Sequence, residues 1–355
     1  MRSILTLLLA TANVALAGTP VSTQTDFRPS YRRPGAVPEP ADNVATPARV
    51  ELGKMLFFEP RLSGTGAMSC ASCHNPSLSW GDSLPLARGA WHKELGRRTP
   101  TILNTAFNPV QTWDGRFDSL EAQALGPMLS PDEMHADQAV IETRLNAIPR
   151  YRELFRAAYG ITTITVGVVA KAIAAFERTV VSGEAPFDRF VNGEDAAISP
   201  AARRGFALFN TKARCAVCHA GWNFSDSSFH DIGLVSGDLG RGPVLGIATL
   251  NHTFKTPTLR NITERAPYGH NGSEPTLRAI VELYDRGGRV KRPTLSADIK
   301  PLGLTPVEQG ELVEFLTTLT SSGPQIPVPE LPGNAGAPQV ATRVPHATKV
   351  TNSED

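Results

Sequence analysis

Beyond its first residues, no stretch of this sequence is apolar for long enough to cross a membrane, and the formal net charge is only +1 over 355 residues. A span needs about 20 predominantly apolar residues, so none is expected. Near-neutrality argues against a nucleic-acid binder or a polybasic membrane binder. Strand-like alternation is scarce as well. Cysteine is rarer still: four residues, all inside two segments, Cys70-Ala-Ser-Cys73-His74 and Cys215-Ala-Val-Cys218-His219. Cys-x-x-Cys-His is the attachment signature of c-type haem, in which two thiols form thioethers to the vinyl groups and the adjacent histidine becomes the proximal iron ligand. One copy alone could be a zinc half-site or a redox pair. Two copies, each followed by histidine and with no cysteine spare, point to a dihaem cytochrome rather than a Cys₄ zinc site.

The chain opens with Arg2, an apolar run from Ile4 to Leu9, and Ala15-Leu16-Ala17 ahead of Gly18. This reads as a secretory signal peptide over residues 1–17. Export fits c-type haem, which is attached outside the cytoplasm, so the mature protein is expected in the periplasm. Residues 18–45, rich in Pro, Thr and Arg, read as a linker, and the proline-rich stretch 323–355 as a disordered tail. Helical signals dominate between them. Thr46-Pro47, Ser199-Pro200 and Thr305-Pro306 are cap and first-turn pairs, the last with Glu308 as a capping box. Pro149 opens a helix that Gly160 ends, and a long apolar helix is expected over about 165–182. The fold class is mostly α, with long irregular loops around the cofactors.

An internal repeat divides the chain. Gly53, Leu56 and Phe57 ahead of the first motif recur as Gly205, Leu208 and Phe209 ahead of the second. Downstream, Thr99-Pro100-Thr101 recurs as Thr256-Pro257-Thr258, Trp113-Asp114-Gly115 as His270-Asn271-Gly272, and Ser119-Leu120 as Thr276-Leu277, all at a separation of 157 positions. A gap-free match of this length implies two duplicated cytochrome c-like domains, 46–190 and 191–322.

The residue on the far side of each iron decides between electron transfer and peroxide chemistry. Methionine, the usual sixth ligand of small electron-transfer cytochromes, does not occur after Met134. The second haem therefore has Tyr284, His230, His252 and His270 as candidates. The repeat singles out Tyr284, on a helical stretch from Leu277 that stops at Gly287-Gly288; His270 sits in a turn, from which it can instead hydrogen-bond a haem propionate. The position 157 residues before Tyr284 is Pro127, whose side chain has no donor atom for a metal. The first haem is thus expected to be five-coordinate. Gln123, one helical turn earlier, and Glu133, six residues later, are placed to assist cleavage of peroxide, the carboxylate by moving a proton and the amide by stabilising charge. His92, in the loop after the first motif, reads as a surface residue, and Trp80, Trp91 and Trp222 as packing residues.

Over residues 45–322 these features resemble the bacterial dihaem cytochrome c peroxidase and MauG family. The resemblance lies in the stretch from Leu52 to Ser63, both haem motifs, Trp113 to Arg116, Phe254 to Asn261 and Pro301 to Thr305. It implies two covalently bound c-type haems. His74 would be proximal at the peroxide-reacting haem, Gln123, Pro127 and Glu133 would form its distal pocket, and His219 and Tyr284 would ligate the second haem. Trp113 would be the bridge for electron transfer between the macrocycles. Within the family, peroxidases with Met at the Tyr284 position draw electrons from a small cytochrome or copper protein. MauG-like members carry Tyr there and oxidise a protein side chain at a distance. The implied partners are accordingly hydrogen peroxide and either a redox protein or a protein substrate; a non-catalytic dihaem carrier is the rival reading, and Pro127 argues against it. Two positions depart from the family pattern. Ala90 stands where the Met-type peroxidases have a distal histidine that leaves the iron on activation, which favours a constitutively open haem. The family binds calcium between the haems through an Asn side chain and two carbonyls, and the matching positions here are Arg98 and the carbonyls of Arg265 and Pro267. Because Arg98 brings a cation where an oxygen is needed, calcium is expected to be absent or weak, with the guanidinium in its place.

Overall fold

Three of the helices begin where the sequence offers a hydroxyl followed by proline, at Thr46, Ser199 and Thr305. In the computed structural model, which describes residues 25–321 and 326–333, Thr46 caps α1 (Pro47–Phe57), its side chain accepting from Arg49 N. Ser119 caps α2 (Leu120–Leu129) in the same way. Then follow α3 (Gln138–Asn146), α4 (Pro149–Tyr159) and α5 (Val166–Glu177). Gly160, at φ +69°, closes α4 in the left-handed conformation that glycine adopts without a steric penalty. After the short α6 (Pro186–Val191), the pattern repeats as α7 (Pro200–Asn210), α8 (Leu277–Asp285) and α9 (Pro306–Thr317). The expected capping box is present: Thr305 Oγ1 accepts from Glu308 N, and the Glu308 carboxylate accepts from Thr305 N. The expected signal peptide lies outside the described residues.

Each half is built on one close helix crossing, α1 on α5 and α7 on α9. Glycine makes both possible. A Cβ on Gly53 would sit 1.9 Å from the Ala172 carbonyl oxygen, and one on Gly205 would sit 2.0 Å from that of Glu311. Two apolar cores follow. One gathers Leu52, Leu56, Phe57, Phe155 and Ile173; the other Phe187, Phe206, Phe209, Phe224 and Phe315. Burying side chains of this size contributes about 1.5–3 kcal/mol each. The sheet content of the described residues is small: β1 (Phe229–His230) pairs antiparallel with β2 (Phe254–Lys255).

Four features differ from the sequence reading. Helix α5 ends at Glu177 rather than near residue 182, because the backbone beyond it is drawn to Asn104, whose N–H donates to the Val180 carbonyl and whose Oδ1 accepts from Ser182 N. Helix α6, assigned to the N-terminal domain, buries Phe187 and Phe190 in the C-terminal core, so the division falls before residue 186. The stretch read as a linker is anchored near its start: Phe27 packs on the C-terminal core, Tyr31 is buried in it, and the Tyr31 hydroxyl donates to Asn210 Oδ1 at 2.7 Å. Within the expected disordered tail, residues 326–333 lie on the N-terminal half, where Ile326 packs on the core and the Pro332 carbonyl accepts from Arg61.

Candidate functional site

One cavity of about 790 Å³ is lined by both Cys-x-x-Cys-His segments. His74 Nδ1 lies 3.2 Å from the Trp80 carbonyl and His219 Nδ1 lies 2.7 Å from that of Phe224. A carbonyl only accepts, so each Nδ1 carries the proton and each Nε2 keeps its lone pair for a metal. Burial lowers the pKa of both rings and favours the neutral form that ligation requires. None of the four cysteines is in a disulfide, and the walls between them are largely apolar, with Ile102, Ile173, Leu259 and Leu312 among the lining residues. The donor set fits two haems: a thiol pair and a neutral imidazole on each side of a largely apolar chamber.

Two of the residues singled out by the repeat come from equivalent helices. Pro127 is eight residues after the cap Ser119 of α2, and Tyr284 is eight after the cap Thr276 of α8. Both line the cavity, as do Gln123 and Glu133. The turn bearing Glu133 is fastened to α2 by Met134 N donating to the Pro127 carbonyl at 3.0 Å, and to the preceding loop by Ala90 N donating to the Glu133 carbonyl at 2.7 Å. Partial burial raises the Glu133 carboxyl above its ordinary pKa, against the pull of Arg116 and a hydrogen bond from Ser130. Burial, with a smaller contribution from the Cys215 and Cys218 thiols, raises the phenol of Tyr284 well above its usual range.

Trp113 sits between the halves. Its Nε1 donates to the Arg98 carbonyl at 3.0 Å, and its own carbonyl accepts from Lys255 N at 2.8 Å. The 157-residue offset pairs Arg98 with Lys255 and Trp113 with His270, and the reciprocal bond exists: Arg98 N donates to the His270 carbonyl at 2.9 Å. The two halves therefore dock by exchanging equivalent backbone bonds about a local pseudo-two-fold. At its centre the Trp113 and His270 rings meet edge to face, 6.4 Å apart. His270 stacks on Phe254 at 3.6 Å, and burial takes its pKa down to about 4. Arg97 adds a cross-link, its Nη1 donating to Asp114 at 2.6 Å and its Nε to Asp238 at 2.5 Å.

Arg98 is buried, and its Nη1 donates to the Arg265 carbonyl at 2.9 Å and to that of Pro267. The guanidinium thus lies against the two carbonyls identified from the sequence. Among the other histidines, His230 is held by Asp226 at 2.9 Å on the cavity wall, whereas His252 and His92 are not among the lining residues. His92 is exposed, with φ +60°. Sequence reasoning overlooked two buried ionisable residues of the wall, Lys255 and Glu177. The repeat could have flagged Lys255, the partner of Arg98; Glu177 lies past the gap-free part of the match.

The chain is similar to known proteins over most of its length. A family model described as di-haem cytochrome c peroxidase matches residues 47–196. The chain is 47% identical over 332 residues to the methylamine utilization protein MauG of Methylorubrum extorquens, covering 91% of this chain and 94% of that one. It is 34% identical to the cytochrome c551 peroxidase of Nitrosomonas europaea, over 79% and 83% of the two chains. A solved MauG-like protein associated with microbial copper homeostasis superposes with a TM-score of 0.78 at 29% identity, covering 84% of this chain and 98% of that one.

Proposed function

The chain belongs to the dihaem cytochrome c peroxidase and MauG family, and from that premise we propose that it is a periplasmic, MauG-like peroxidase whose N-terminal pocket takes hydrogen peroxide. The enzyme class, a dihaem peroxidase, follows from the family. The observation that carries the finer reading is the contrast at one helical position, Pro127 on α2 against Tyr284 on α8. Identity to MauG proteins, 47% and 41%, above that to the cytochrome c551 peroxidases, 34% and 32%, supports the same branch. The signal-like N-terminus and the haem-attachment motifs support export, and no helix of the described residues is long and apolar enough to cross a membrane.

Haem attached at Cys70 and Cys73 would supply the iron that takes peroxide and a ring system able to hold an oxidising equivalent. The chain does the rest. His74, its imidazole orientation fixed by the Trp80 carbonyl, would hold that iron. Pro127 would offer it no further ligand. The Glu133 carboxylate accepts the proton of the inner peroxide oxygen and delivers it to the outer one, while the Gln123 amide donates to the oxygen gaining charge. Overall, peroxide takes up two electrons and two protons to give two waters. Tyr284 and His219 would hold the second iron, and an anionic phenolate there would favour its oxidised state. Trp113, clamped to both halves, relays electrons between the pockets. The electrons come from a protein side chain that becomes oxidised, or from a small cytochrome or copper protein. Arg98 serves as a built-in cation at the two carbonyls, so the protein has no need of calcium there.

Cyanide titration of the ferric holoprotein tests this reading. Saturation is expected at one ligand per two haems, with the bands of the second haem unmoved. Two unreactive six-coordinate haems would instead favour a pure electron carrier.

A further inference from the structure

Glu177, the last residue of α5, is 4% exposed, lines the cavity, and has its Oε2 buried without a hydrogen-bond partner among the described residues. An unpaired buried carboxylate is costly, and native proteins rarely retain one without a use. Its place in the repeat can be read from the glycine crossings. A Cβ on Gly53 would meet Ala172 and Phe176, and one on Gly205 would meet Glu311 and Phe315. Ala172 therefore matches Glu311, Phe176 matches Phe315, and Glu177 matches Leu316. Both lie on the cavity wall. One pocket carries an ionisable group where its twin carries a hydrocarbon.

The groups acting on Glu177 are few. Arg178, the C-cap that follows it, is turned to Glu121 of α2 at 2.8 Å, and Glu121 is held further by Asn43. Burial is the largest influence and pushes the Glu177 carboxyl up to about 8; Arg178 opposes this and Glu121 adds to it, while no charge from α1 acts on it. On the other side, Glu177 acts on the thiol of Cys70, a haem-attachment residue, and no carboxylate acts in this way on the matching Cys215. The carboxyl thus sits beside the attached edge of the N-terminal cofactor.

We propose that Glu177 is a redox-linked proton site of the N-terminal pocket, binding one proton when the haem held by His74 accepts one electron from a one-electron donor and releasing it on reoxidation. The added electron makes a neighbouring carboxylate costlier in a low-dielectric wall, and a proton from solvent cancels that charge. One negative charge and one proton enter together, so the net charge of the pocket does not change. The proposal rests on haem attachment at Cys70 and Cys73, and on neither peroxide turnover nor the ligation of Tyr284.

Spectroelectrochemical titration of the holoprotein, from about pH 5 to pH 9 around the ordinary and raised carboxyl ranges, tests it. One haem should become up to tenfold harder to reduce per pH unit, about 59 mV, across part of that range, and Glu177→Gln should flatten this slope while leaving the other haem unchanged. Glu177→Leu, which installs the residue found at the twin position, should do the same and guards against a folding defect peculiar to the amide. The reciprocal Leu316→Glu should give the second haem a slope of its own. A carboxylic-acid band in the redox-difference infrared spectrum, lost in Glu177→Gln, would be the direct signature. Identical slopes in the parent and both Glu177 variants would overturn the proposal without touching the peroxidase assignment.

Discussion

The two halves of the cavity share an attachment turn, a histidine oriented by a carbonyl, and a capped distal helix, and they part at the residue eight positions beyond the cap. Pro127 stands there in one half and Tyr284 in the other. Similar contrasts recur around the chamber, with Trp113 against His270, Arg98 against Lys255 and Glu177 against Leu316. What remains alike is what packing dictates. Gly53 and Gly205 remain glycine because each helix crossing leaves no room for a Cβ. Side chains facing the cavity escape that constraint, so duplication has kept the scaffold while the two pockets diverged in chemistry.

The largest expected effect belongs to the pocket that carries Pro127. Glu133→Gln should slow the reaction with peroxide by about 10²–10⁴-fold in stopped-flow traces, the range for a lost general acid–base group, with the spectrum of the second haem unaltered. The pH profile should change with it. Glu133 works as a carboxylate, so the parent rate should fall as pH drops through a pKa that burial has raised above the ordinary carboxylate value. That acidic limb should vanish in the amide variant. An equal loss at both haems would erase the functional contrast between the halves.

Next come the shared elements. Gly53→Ala and Gly205→Ala should each destabilise by about 1–3 kcal/mol or more, the cost of overpacking a tight contact. Chemical denaturation followed at the bands of each haem should show the loss beginning in the half that carries the substitution. Smaller in energy is Arg98→Asn, which removes a donor from two buried carbonyls and should cost about 1–3 kcal/mol. The informative readout there is calcium. Haem spectra of the parent should not respond to it, whereas the variant, now offering an amide oxygen beside two carbonyls, should acquire a titratable response.

Much of this contrast was legible in the sequence because it is written in local signals. Cys-x-x-Cys-His marks both cysteine turns, hydroxyl–proline pairs mark the starts of α1, α7 and α9, and a constant offset sets Pro127 against Tyr284 without any knowledge of the fold. The rest depended on tertiary contacts. Thr179-Val180-Val181 continues the apolar run of α5, so hydrophobicity alone extends the helix, yet Asn104 captures that backbone. Tyr31 lies in a stretch whose prolines and arginines suggest a free linker, but one buried ring among Phe187, Phe206 and Phe224 anchors it. Ile326 and Pro332 do the same within the proline-rich tail. Nothing in the sequence sets Glu177 apart within the helix expected over about 165–182, and it is the tertiary fold that buries it against the cavity.

Electron paramagnetic resonance of the ferric holoprotein, with and without Tyr284→Phe, tests the contrast between the pockets most directly. The parent should show one high-spin and one low-spin haem, and the substitution should abolish or shift the low-spin signal while leaving the high-spin one in place. Two low-spin signals in the parent, or a low-spin signal indifferent to the loss of the phenol, would contradict the account.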